Sequence, residues 1–188
     1  IIEHRWCHYT YSMVPKKYFK NQISSPKIIK KGQHFTVVAA SYHIYEALLA
    51  HDILSKIGIK IEVIDLRVSR PLNIKKITNS VKKTRNLITI DLGFKIYGIG
   101  SEIISQLVEN DSKIFKSNPI RLGMPNYPTP SSRGYLKGHY PDTEQIMTQI
   151  FKALKINKSK QIQCFEILKL KLINKKIDVP NEVFKGPF

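Results

Sequence analysis

The sequence predicts an α/β fold in which a parallel sheet is covered by helices. Three observations carry this expectation. From His34 onward, short β-branched runs alternate with segments whose apolar residues recur at helical spacing. The strand runs are apolar at consecutive positions, as strands buried on both faces are. Glycine or proline stands at the joints, at Gly58, Pro71, Gly98 and Gly100.

Phe35 to Ala40 reads as the first strand of this alternation, and Ile44, Ala47, Leu48, Ile53 and Leu54 mark one face of a helix that stops at Gly58. Ile59 to Leu66 is a second strand closed by Arg70-Pro71, and Ile74, Ile77 and Val81 recur through Lys83 as a second helix. Val63, Ile64, Leu66, Ile88 and Ile90 are expected in the core. Leu87 to Ile90 makes a third strand, Gly93 to Gly100 a turn, and Ser101 to Glu109 a third helix. Pro119 to Leu122 supplies a short fourth strand. Pro125, Pro128 and Pro130 exclude helix and order a loop from Met124. A last helix starts after Pro141, with Asp142 as its N-cap and Ile146, Ile150, Phe151 and Leu154 inward.

Residues 1–33, broken by Pro15, Pro26 and Gly32, read as a linker, residues 34–156 as the main domain, and residues 157–188 as a separate extension. Within the extension, alternation at Leu168, Leu170 and Leu172 suggests an added strand and leaves a helix open. The first residue is not methionine, and the chain reads as part of a longer one.

With 188 residues and 42% hydrophobic content, the chain can bury one main core. No apolar run approaches the roughly 20 residues of a membrane span, and Ile1-Ile2-Glu3-His4-Arg5 lacks the order of a secretory signal, so a cytoplasmic protein with no membrane partner is expected. Cys7 and Cys164 are the only cysteines and have no metal-ligand spacing. The formal charge of +17 invites a nucleic-acid reading. The lysines are scattered without interleaved aromatics, however, and no nucleic-acid partner is expected.

Gly98-Ile99-Gly100-Ser101-Glu102 joins a strand to a helix, yet Ile103 replaces the third glycine of a dinucleotide loop, which favours a structural turn. No HExxH, no GxSxG and no cysteine with an adjacent base is present, so a self-contained hydrolase has little support.

Glu62-Val63-Ile64-Asp65-Leu66-Arg67, Arg70-Pro71-Leu72 and Ser80-Val81-Lys82-Lys83-Thr84 resemble the block that runs through transketolase C-terminal domains, in the form found in beta subunits of 2-oxoacid dehydrogenases. The likeness continues through Leu87 to Asp91, Gly98 to Ile103, Pro125 to Pro130 and Tyr140-Pro141-Asp142, and Glu3-His4-Arg5 looks like the end of the preceding pyrimidine-binding domain. The resemblance implies a three-layer domain with a mostly parallel five-stranded sheet, one strand being antiparallel. It implies an assembly domain of a thiamine-diphosphate-dependent 2-oxoacid dehydrogenase beta subunit, in an enzyme of the pyruvate, branched-chain or acetoin type.

Thiamine diphosphate and magnesium are implied for the intact enzyme, none of it held by this chain alone, and no residue here is expected to be catalytic. The implied partners are an alpha subunit, a second beta subunit and a lipoyl-bearing acyltransferase core. His4, Arg5 and His139 are expected at the rim of a composite active site. Trp6, Tyr9, Tyr11, Met13, Tyr18, Phe19, Met124 and Tyr127 are expected at an interface, because aromatic residues and methionine are enriched in interface cores. Two alternatives stay open: the end of a transketolase-like or 1-deoxyxylulose-phosphate-synthase-like transferase, and a basic binding module.

Overall fold

The structure is a computed structural model that describes residues 4–8, 10, 11, 13, 16 and 25–173, apart from the side chains of Leu92 and Arg133. In chain order the elements are β1 (Lys27–Lys30), β2 (Phe35–Ala39), α1 (His43–Ser55), β3 (Ile61–Asp65), α2 (Lys75–Thr84), β4 (Leu87–Phe94), α3 (Ile99–Asn110), β5 (Ile120–Met124), α4 (Thr143–Leu154) and α5 (Lys158–Lys171). The five strands form one sheet in the order β1-β3-β2-β4-β5. β2 pairs in parallel with β3 and β4, β4 pairs in parallel with β5, and β1 runs antiparallel to β3.

Side chains alternate across the strands, so each of β2, β3 and β4 feeds two cores. Val37, Val63, Ile88 and Ile90 pack against α1, α4 and α5 through Ala47, Ile53, Ile146, Ile150 and Cys164. Val38, Ile64 and Leu87 pack against α2 and α3 through Ile77, Val81, Ile103 and Leu107. Helices on both faces therefore make three layers. The five residues expected in the core, Val63, Ile64, Leu66, Ile88 and Ile90, are all at most 4% exposed.

Two expectations are corrected. The segment read as a linker up to residue 33 contains β1, whose Lys27 and Ile28 pair with Asp65 and Ile64. Its sequence, Lys-Ile-Ile-Lys, has no alternation because it is an edge strand whose outer side faces water. The expected strand after Asn157 is instead α5, capped by the Asn157 side chain, which accepts from the Lys160 amide at 2.9 Å. It is not separate from the domain. Cys164 and Leu168, one helical turn apart, are buried in the core formed with α1 and α4.

Two polar side chains that the sheet buries are bonded to α2. Thr36 Oγ1 lies 2.7 Å from both Ser80 Oγ and Thr84 Oγ1. Glu62, 1% exposed, accepts from the Lys83 ammonium and from the Gly32 amide. Burial alone raises the Glu62 carboxyl, but hydrogen bonds from Lys83, Ser80 and Gly32 outweigh it and hold the group below its usual range. A depressed carboxyl stabilises the fold above its unfolded pKa, and the contribution fades as pH falls through the folded value. Glu62→Gln is therefore expected to cost about 1–3 kcal/mol in urea unfolding at pH 7, with the gap to the parent shrinking below about pH 4. A gap that is constant from pH 7 to pH 3 would contradict this.

Candidate functional site at the carboxyl ends of the strands

The chain leaves β2 through α1 to β3 on one side, then crosses from β3 through α2 to β4 on the other. The reversal makes a topological switch point at β2 and β4, and crevices outside the carboxyl ends of such strands are where open α/β sheets bind their ligands. Two segments flank this point: residues 40–43 after β2, and residues 91–100 at the end of β4 and the start of α3.

A seam of aromatic rings covers the first segment. A short 3-10 turn, Arg5–Cys7, is capped by His4, whose ring accepts from the Trp6 amide at 3.3 Å. The Trp6 ring meets Tyr42 edge-on at 4.9 Å and Tyr140 at 5.6 Å, and His4 lies 5.8 Å from Tyr42. His139 continues the seam, 4.9 Å from Tyr140 and 5.4 Å from Tyr127. Edge-to-face pairs at these separations add to the apolar area they bury. The seam thus joins three stretches far apart in sequence: residues 4–7, the start of α1, and the loop before α4.

Beneath the rings, the buried carboxylate of Glu46 ties α1 to α4. It accepts from the Tyr42 hydroxyl at 2.8 Å, from the Thr143 amide at 3.0 Å and from the Thr143 hydroxyl at 2.5 Å. Burial, reinforced by the charge of Glu46, raises the Tyr42 phenol far above its ordinary value, so it stays a donor. His43 is 3% exposed, and burial lowers it to about 4 despite the pull of Glu46, so its ring is neutral at pH 7. Burial also lowers His4.

At the second segment, Asp91 accepts from the Gly100 amide at 2.8 Å and so satisfies the amino end of α3. A Cβ on Gly98 would stand 2.4 Å from the Asp91 carboxyl carbon, and one on Gly100 2.2 Å from Thr89 Oγ1. The glycines of this turn therefore admit a side chain of the protein itself, which is the structural reading of the motif. Burial pushes the Asp91 carboxyl up, against the Gly100 amide and the charge of Arg121.

Residues 25–146 match the family described as "Transketolase, C-terminal domain". That is more than half of the chain. The chain belongs to the transketolase C-terminal domain family. It is similar to the beta subunit of the mitochondrial pyruvate dehydrogenase E1 component from Bos taurus, 35% identical over 77% of this chain and 41% of the bovine protein. The human subunit is 33% identical over 74% of this chain and 39% of its own length. The chain thus spans about two fifths of the curated relatives it matches. Among solved structures, a chain titled "Split gene transketolase, inactive beta4 tetramer" superposes with a TM-score of 0.62 at 20% identity, over 78% of this chain and 48% of that one, which shows the fold.

In this transketolase C-terminal domain, His4 and Trp6 are half-buried in the seam, Arg5 is exposed beside them, and His139 is buried with its Nε2 3.2 Å from Thr129 Oγ1. Trp6 packs edge-on against Tyr42 and Tyr140 of its own domain. Tyr11 is 85% exposed, Met13 95% and Tyr127 50%, while Met124 is half-buried at the end of β5. Tyr9, Tyr18 and Phe19 lie outside the described residues. Sequence reasoning missed Tyr42, Glu46 and Thr143. A signal was present, because a carboxylate four residues after a tyrosine on the inward face of an apolar helix needs a partner.

The described residues hold no group of three or more His, Cys, Asp or Glu that could bind a metal ion. No chemical step is assigned to them. Their measurable property is the Glu46 clamp. Thr143→Val is expected to lower stability by about 1–3 kcal/mol by leaving the buried carboxylate short of a donor. Urea unfolding followed by fluorescence of Trp6, the single tryptophan, reads this directly. A loss below about 0.5 kcal/mol would mean that Thr143 does not hold Glu46.

Proposed function

We propose that this chain is the assembly domain of the beta subunit of a thiamine-diphosphate-dependent 2-oxoacid dehydrogenase. The observation that carries the reading is the 35% identity to a beta subunit of the pyruvate dehydrogenase E1 component. The relatives bearing that name are closer in sequence than the split-gene transketolase, at 20%, which favours the dehydrogenase over a transferase. In this reading the intact enzyme decarboxylates a 2-oxoacid on thiamine diphosphate with magnesium and passes the acyl group to a lipoyl-bearing acyltransferase core. The cofactor's chemistry is its own; the protein supplies binding, orientation and electrostatics. This chain contributes a docking surface for an alpha subunit and a second beta subunit, and binds no cofactor by itself. His4, Arg5 and His139 line the rim of the composite site, with the buried His139 acting through Tyr140.

The exposed rings and methionine beside the seam, Tyr11, Met13 and Tyr127, support an interface there, since desolvated aromatic anchors supply most of the energy of such contacts. Trp6 packs the Arg5–Cys7 turn, a few residues before Tyr11 and Met13 in sequence, against Tyr42 and Tyr140. In an enzyme reconstituted from the full-length beta subunit and its alpha subunit, Trp6→Ala is expected to weaken assembly by roughly 2 kcal/mol or more in sedimentation equilibrium. Unchanged assembly together with unchanged turnover would overturn the reading of this surface.

A further inference from the structure

The amino ends of the three central parallel strands share the opposite edge of the sheet. His34 precedes β2, Lys60 precedes β3 and Asn86 precedes β4. Backbone and side-chain bonds stitch these starts together. The amides of Gln33 and His34 donate to the Lys60 carbonyl at 3.0 and 3.1 Å, and Asn86 Nδ2 donates to the His34 carbonyl at 2.9 Å. The stitching extends past β4, because Ser117 Oγ donates to Asn86 Oδ1 at 2.8 Å and Arg85 donates to the Lys113 carbonyl at 2.7 Å. The Lys116 amide in turn donates to the Arg85 carbonyl at 2.7 Å.

This scaffold gathers Lys31, Lys60, Arg85, Lys113 and Lys116 on one edge, all exposed, while the Lys83 ammonium beside them is held by Glu62. Of the acidic groups among them, Glu62 is already ion-paired. Glu62 is buried against Lys83, and Asp111 accepts from the Lys113 amide at 3.0 Å. Three strand starts at about 4.8 Å spacing span about 10 Å, so Lys60 and Arg85, next to two of them, stand on one short stretch of this edge. Its rigidity matters, since the bonds fix backbone positions and leave the lysine tips free to reach a partner.

We infer that this edge is a docking surface for an acidic polypeptide segment, distinct from the aromatic seam and independent of the function proposed above. Carboxylates two apart on a strand or one turn apart on a helix recur every 6 to 7 Å or so, which matches a patch of this width. The edge lacks what a single-stranded nucleic acid uses. Among the described residues none of its aromatic rings is exposed, and Phe115 packs on the core, so no base has a stacking platform. A duplex is served by a longer stripe of phosphate contacts.

The test uses the full chain, with labelled poly-glutamate and a DNA duplex of matching charge as probes in fluorescence anisotropy. Lys31→Glu, Lys60→Glu and Lys113→Glu combined are expected to weaken poly-glutamate binding at least about tenfold. The control of equal charge change, Lys152→Glu, Lys160→Glu and Lys169→Glu, lies on the exposed faces of α4 and α5 and is expected to weaken it less than about threefold, because charges beyond a screening length contribute little. Melting curves check that each variant folds. Should the triple variant unfold, Lys60→Glu and Lys113→Glu are measured singly. Equal losses in patch and control variants, or no saturable binding of poly-glutamate, would overturn the inference. Tighter, equally patch-sensitive binding of the duplex would also overturn it, in favour of nucleic acid.

Discussion

Strand β2 lies between two parallel neighbours with both faces covered, and its residues Phe35 to Ala39 are all buried. That burial decides where polar side chains can stand in this domain. A buried polar group without a partner costs free energy comparable to a lost hydrogen bond or more, and three that the sheet admits are answered by a neighbouring element, while the Thr89 hydroxyl is buried without a partner among the described residues. Thr36 is answered by Ser80 and Thr84, Glu62 by Lys83, and Asp91 by the Gly100 amide. Glu46 does the same between α1 and α4. The polar pairs therefore set the positions of helices that apolar packing alone leaves free to slide.

The same constraint separates the two ends of the sheet. At the carboxyl ends, loops are long enough to bring distant stretches together, and Trp6, Tyr42 and Tyr140 close an apolar seam over the Glu46 clamp. At the amino ends, backbone and side-chain bonds between strand starts fix the edge, and Lys31, Lys60, Lys113 and Lys116 are exposed there. One end is thus suited to burying area against another subunit, and the other to a charged contact made at the surface.

Strands with period and β-branched runs were legible in the sequence. Val37, Val63 and Ile88 stand where the apolar runs put them, and Asp142 caps α4 by accepting from the Gln145 amide at 2.8 Å. β1 was not legible, because an edge strand of four residues carries too little pattern, although the family resemblance implied an antiparallel strand. In α5, Leu168, Leu170 and Leu172 satisfy a period of two, whereas Cys164, Leu168 and Leu172 satisfy a helical period. Only the core against which Cys164 and Leu168 pack decides between them. Of the site, the rings of Trp6 and His139 were visible as candidates. The clamp beneath them was not, because Glu46 and Thr143 are 97 residues apart and only the fold makes them neighbours.

Hydrogen–deuterium exchange of the proposed full-length beta subunit, free and with the alpha subunit proposed as its partner, tests most directly whether the carboxyl ends of this sheet are an assembly surface. The account expects slower exchange on binding in residues 4–8 and 124–140, with residues 57–60 and 111–117 at the opposite edge unchanged. Slower exchange confined to that opposite edge, or to α5, would contradict it.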